Sequence, residues 1–215
     1  MLGVGRCGQD SVLNEKPDLT YNCAMRSYRA VNLNALWFLI ALNVLIFIIT
    51  LVRPQEVITM FGLTPGLLSK QPWTIITAMF VHGGFAHILF NMISLYFLGS
   101  FFLRAVGDRI FLAVYFLGGL AGNVLYVLLA PPNVIGIGAS GAIFAIGGAL
   151  AVLVPRVPVY IFFIPIAMPL WVAILIFLVL SFFFTGIAWQ AHLGGVLGGV
   201  AAGFILRRRR RPYYL

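Results

Sequence analysis

PPNVIGIGASGAIFAIGGALAVLVPR, residues 131–156, is the stretch on which the fold turns. Pro131, Pro132 and Gly136 keep 131–137 from being helical, while Pro155 and Arg156 close the helix that follows. The 16 uncharged residues between, 139–154, make a helix of ~24 Å at 1.5 Å per residue. A bilayer's hydrocarbon core is ~30 Å thick. With its inner end pinned by Arg156, such a helix must begin below the outer surface, reached by the 131–137 loop. Irregular backbone is tolerated at that depth only against protein or a wet cavity. Ser140 is therefore expected to face a sunken aqueous pocket, at a helix N-terminus whose free N–H groups and dipole favour an anion. The oxyanion that develops during acyl transfer is such an anion.

The rest of the chain is of the same apolar kind. Of 215 residues, 62% are hydrophobic and 9% charged, against about 25% charged in an ordinary soluble domain. With 14% aromatic residues and several long apolar runs, disorder is excluded as well. At ~20 residues per crossing, the length provides for about six helices. The runs place them at 33–52, 86–104, 109–129, 139–154, 169–185 and 189–206. A long interlude, 53–85, is read as irregular or holding short interfacial helices, and 157–168 as lying along the interface. The expected fold is an all-α integral membrane bundle of six transmembrane helices with a long irregular loop between the first two. A polar tail, 1–30, precedes the membrane domain, 31–206, and a basic tail, 207–215, follows it.

Charge orients the bundle. Six spans put both ends on one side, and the block Arg207–Arg211 makes that side cytoplasmic in a cell membrane. Arg6, Lys16, Arg26, Arg29, Arg104, Arg109, Arg156 and that block then give twelve cytoplasmic basic residues, against Arg53 and Lys70 outside. An odd number of spans would destroy this bias. The formal charge of +9 is thus a membrane flank and not a nucleic-acid surface. Cys7 and Cys23, both in the N-terminal tail, are too few for a disulfide scaffold and fall on the reducing side. Residues 1–30 lack the apolar core of a removable signal peptide.

In such a chain, polar residues at membrane depth carry the information. None of the five acids falls within a span, which argues against a proton-coupled carrier. No His-Glu-x-x-His motif is present, so a zinc hydrolase lacks both its usual ligand pair and its base; no metal and no cofactor are expected. His87 and Asn91, four apart, share a face of the second span. The fourth span opens with Gly138-Ala139-Ser140-Gly141 and the sixth with Ala191-His192. Spans two, four and six all run from outside to inside, so His, Asn, Ser and His converge at one depth. Gly195, Gly199 and Gly203 follow His192 on its face, and Gly147 and Ala151 follow Ser140 on its own. Packing these small-residue seams together would bring Ser140 and His192 into contact.

Here the sequence resembles the rhomboid family of intramembrane serine proteases. The resemblance rests on Gly138-x-Ser140-Gly141, on His82-x-x-x-x-His87-x-x-x-Asn91, and on Ala191-His192-x-x-Gly195-x-x-x-Gly199, in that family's order and on its helices, over about 31–206. It implies Ser140 as nucleophile and His192 as general base in a dyad without a carboxylate. It further implies an oxyanion hole from the Ala139 and Ser140 amides with the His87 and Asn91 side chains. The activity implied is endopeptidase cleavage of transmembrane protein substrates near their outer ends, within the lipid bilayer. Span five or the loop before span six would be the gate. Phe144 matches an aromatic position one turn below the serine and is expected to stack on His192. Trp73 stands in the family's Trp-Arg loop motif with Thr74 in place of the arginine, and Leu103 where many members carry glutamate.

Taken singly, these residues have plainer readings. Ser140 is a possible helix N-cap, and His192 or Asn91 an interhelical hydrogen bond. His82 reads as a structural tie. The glycines are packing on any reading. A rhomboid-like protein that binds transmembrane clients without cleaving them is the alternative function; loss of the serine or the histidine would be its mark, and both are intact. A small channel or carrier with histidines at its pore leaves Gly138-x-Ser140-Gly141 unexplained.

Overall fold

The computed structural model describes residues 33–161, 164–184 and 186–209. The expected tail 1–30 and the end of the basic block, Arg210 and Arg211, lie outside them.

The first helix, α1 (Asn34–Val52), is apolar almost throughout. Its buried polar side chains spend their donors on the preceding turn, Asn43 Nδ2 to the Leu39 carbonyl at 2.7 Å and Thr50 Oγ1 to that of Ile46 at 2.8 Å. Arg53 ends it and Pro54 starts the short α2 (Pro54–Phe61), since proline is tolerated only in a helix's first turn. The interlude then folds as a 3₁₀ turn, Pro65–Leu67, a single-turn α3 (Thr74–Thr77) and a second 3₁₀ turn, Ala78–Phe80. Trp73 Nε1 donates to the Met60 carbonyl at 2.9 Å and Thr77 Oγ1 to that of Phe61 at 2.8 Å, which pins α2 back onto α3. The Thr74 hydroxyl closes its own turn on the Gln71 carbonyl.

Five longer elements complete the bundle, with α6 at its centre. They are α4 (Phe85–Val106), α5 (Asp108–Leu129), α6 (Ser140–Leu153) and, after a hairpin, α7 (Leu170–Phe183) and α8 (Trp189–Arg209). Each apolar helix begins and ends within three residues of the expected span. Only Gly107 separates α4 from α5; its φ of 81° is the left-handed conformation that a side chain would disfavour, so the chain reverses in one residue. Among the described residues, α1, α4, α5 and α8 are long and apolar enough to cross a membrane, while α6 and α7 have 14 residues each. The short α6 packs against α4, α5, α7 and α8. Ala142, Ala145, Ile146, Ala149 and Leu150 are buried all around it. A helix so enclosed meets protein and not lipid, and need not match the hydrocarbon thickness. Leu103, which departs from the glutamate of the resembled family, is also buried in this core. Exposed Phe97, Leu117, Leu128 and Phe183 form part of the apolar outer belt.

Two expectations are corrected here. Residues 157–168 are not merely a segment along an interface: β1 (Pro158–Ile161) and β2 (Ile164–Pro169) form an antiparallel hairpin, with Val159 opposite Met168. Val159 turns in against the core while Tyr160 stays exposed, the period of two that marks a strand. The second correction concerns the seam. A Cβ on Gly195 would strike the Gly141 carbonyl oxygen, one on Gly199 that of Ala145, and one on Gly203 would lie 2.9 Å from that of Ala149. The groups of α6 that meet these three glycines are Gly141, Ala145 and Ala149, and Gly148 lies against the Val196 carbonyl of α8, while Gly147 faces α7, where a Cβ would come 2.5 Å from Ile174 Cδ1. The contact line lies one residue round from Ser140, because Ser140 points its hydroxyl at His192 and not its backbone at α8.

Candidate active site

Ser140 is the first residue of α6 and is delivered by a loop held from outside. Leu63 and Gly136 exchange both backbone hydrogen bonds, at 2.9 and 2.8 Å, Gly66 N donates to the Pro132 carbonyl, and Tyr126 OH donates to that of Val134 at 3.2 Å. Gly138 N then donates to the Ala78 carbonyl at 2.8 Å, so the interlude clamps the segment just before the serine. Gly138 has φ 119°, a conformation for glycine, and its missing side chain has a second use. A Cβ there would stand 2.7 Å from His87 Nε2 and 3.7 Å from Ser140 Oγ. The His87 imidazole and the Ser140 hydroxyl thus border one small space that only glycine leaves open. The N–H groups of Ala139, Ser140 and Gly141, at the start of α6, donate to no acceptor among the described residues.

His192 lies in the first turn of α8, and its Nε2 is 2.8 Å from Ser140 Oγ, the hydroxyl donating when that nitrogen is bare. Close approach of the helices sets this distance, since no side chain intervenes between Gly141 and Gly195. Phe144, one turn below the serine, stacks on the His192 ring at 4.4 Å between centroids with 27° between planes. His192 is buried, and its Nδ1 has no hydrogen-bond partner among the described residues; no carboxylate completes a triad there. No cluster of metal-ligating side chains occurs among the described residues either.

Asn91 is buried on α4 one turn after His87, but its amide Nδ2 donates to the His87 carbonyl at 2.8 Å. The structure therefore brings together Ser140, His192, Phe144, His87 and the backbone at Gly138–Gly141, and gives Asn91 a bond to the His87 main chain instead of a contact with Ser140. Asn123 and Tyr126 of α5 were not singled out from the sequence, yet both line the small cavity beside Ser140. Asn123 Nδ2 donates to the Ile75 carbonyl at 2.7 Å. A polar side chain inside an apolar run was the available signal.

His82, in the loop before α4, is fully buried, with Nδ1 3.2 Å from the Phe80 carbonyl oxygen. Burial, reinforced by the neighbouring His87 and opposed only by the Phe80 bond, pushes its imidazole from 6.5 down to about 4. The folded-state value lies below the unfolded one, so the neutral ring stabilises the fold above pH 6.5, and that contribution is lost as pH falls from 6.5 toward 4. Thermal unfolding in detergent is accordingly expected to weaken through that acid window, and His82→Asn, which has no titratable group, to flatten the dependence. A slope unchanged by the substitution would contradict a neutral buried ring.

Comparison with known proteins gives a consistent picture. A family model described as "Rhomboid domain" matches residues 69–209. The rhomboid-named protein YdcA of Bacillus subtilis is 29% identical over 190 residues, covering 82% of this chain and 90% of that protein. Rhomboid protease GluP of the same organism is 31% identical over 177 residues, covering 79% of this chain and 34% of GluP. RHOMBOID-like protein 5 of Arabidopsis thaliana is 32% identical over 147 residues, covering 67% of this chain and 47% of that protein. The chain thus spans most of one relative and half or less of the other two.

Proposed function

The chain belongs to the rhomboid family and is a multi-pass membrane protein, and from that premise we propose that it is an intramembrane serine endopeptidase whose nucleophile is Ser140 and whose general base is His192. The observation that carries this reading is the 2.8 Å approach of Ser140 Oγ to His192 Nε2 at the half-buried start of α6. His192 takes the hydroxyl proton as Ser140 attacks the scissile carbonyl, and returns it to the departing amine. The Phe144 stack holds the ring at the angle this transfer needs. The oxyanion is received by the free N–H groups of Ala139 and Ser140 and by the His87 imidazole in the space left by Gly138. Asn91 contributes through the His87 main chain, which its amide holds. Substrates are transmembrane proteins cut near their outer ends, and the basic end of α8 lies in the cytoplasm of a cell-membrane protein.

The test is purified protein in detergent with a generic transmembrane substrate, wild type beside Ser140→Ala. Cleavage by wild type alone supports the reading; equal cleavage by both sinks it, and none by either favours a client-binding rhomboid-like protein. In the same assay, His87→Ala is expected to lower kcat by up to ~10²–10³, the loss typical of one oxyanion donor. Asn91→Ala, whose amide is already engaged, is expected to cost less. A larger loss in Asn91→Ala than in His87→Ala would overturn this ranking.

A further inference from the structure

His82 and His87 flank the turn at Gly83 and Gly84, and their rings meet edge to face, 5.0 Å between centroids at 64°. The Phe80 carbonyl only accepts, so the His82 Nδ1 facing it carries the proton and Nε2 is bare. That Nε2 is buried without a partner among the described residues. An unpaired acceptor in a fully buried ring is costly and calls for a reason. His87, by contrast, is only half-buried, in the first turn of α4. The Asn91 amide fixes the His87 backbone and leaves its ring free. What stands against that ring is His82 on one side and Gly138 on the other.

We propose that His82 is a positioning residue for His87: its imidazole, anchored on the Phe80 carbonyl, is the wall that keeps the His87 ring over Gly138. The proposal rests on the proteolytic reading above and deepens it. His82 touches no reacting atom; it acts by confining the side chain that does, and a misplacement of ~1 Å at such a group can cost about 10²-fold.

Two substitutions separate this from a purely structural tie. In His82→Asn the amide nitrogen occupies the place of Nδ1 and keeps the Phe80 bond, but the ring is gone. His82→Phe keeps the ring and loses the bond. If the wall matters, His82→Phe retains kcat within about fivefold, while His82→Asn lowers kcat about tenfold or more with KM unchanged and never by more than His87→Ala. In a His87→Ala background, His82→Asn should then cost nothing further, because it has no ring left to position. An active Asn variant beside an inactive Phe variant, or a loss of equal size in the His87→Ala background, overturns the proposal. Crystal structures of the two variants read the same point without turnover: the His87 ring should stay over Gly138 in the Phe variant and leave it in the Asn variant. An unmoved ring in His82→Asn refutes the wall, whereas cleavage by Ser140→Ala would refute the proteolytic reading instead.

Discussion

Ser140→Ala and His192→Ala are each expected to take proteolysis to the assay floor, and the double variant to be no worse than either. The hydroxyl and the imidazole share one proton across 2.8 Å, so removing either partner removes the whole nucleophilic step. Groups that act as a unit show grossly non-additive losses, on the order of 10⁴-fold or more for the first removed and little for the second. Among the described residues nothing else stands ready to substitute. His192 Nδ1 meets no carboxylate, and no metal-ligating cluster lies among the described residues to activate water instead. Residual turnover should be limited to what the free N–H groups at the start of α6 and the His87 ring achieve alone. Measured kcat/KM for the two single variants and the double variant checks this; a double variant well below both singles would mean that serine and histidine act in separate steps.

The second large effect is expected at the seam between α6 and α8. Gly199→Leu places a four-carbon side chain where even a Cβ would collide with the Ala145 carbonyl oxygen. Lipid tails are as apolar as leucine, so membrane helices are held together by close packing and gain nothing by burying the added bulk against one another. The helices must separate, and the Ser140–His192 distance opens with them. A loss of ~10²-fold or more per folded molecule follows, together with a lower unfolding temperature. Ala201→Leu adds three carbons two residues on, at an exposed position, and should leave both quantities near wild type. Both variants, purified and matched for folded fraction, should be compared on one substrate. Equal activities would mean that approach along Gly195–Gly199–Gly203 does not set the dyad distance.

Much of this arrangement is written in local sequence, and the exceptions have physical causes. The apolar spans were legible because runs of uncharged residues interrupted by Arg53, Gly107, Pro131 and Pro155 leave a helix few other limits. The common depth of Ser140 and His192 was read from the direction of the spans, while the small-residue seam meant to join their helices was placed one residue off. The hairpin at 158–169 was not read, because three prolines at 158, 165 and 169 mask the alternation that Val159 and Tyr160 begin. Gly147 was assigned to the wrong neighbour because an α-helix enclosed on every side has small residues facing several partners, and periodicity cannot say which glycine meets which helix. The bond from Asn91 to the His87 carbonyl is the back-bond of a helical amide to the preceding turn, which spacing does not distinguish from an amide turned toward the site. Asn123 and Tyr126 lie on a helix whose role beside Ser140 emerges only once the loop at 134–138 folds over it.

The most direct measurement is covalent. Wild type, Ser140→Ala and His192→Ala are incubated in detergent with a small fluorophosphonate probe, which reacts with serines activated by a base, and the adduct is located by mass spectrometry. A single adduct on Ser140 in wild type, absent from both variants, is the predicted result. An adduct elsewhere, or labelling of Ser140 that persists at full rate in His192→Ala, would contradict the dyad.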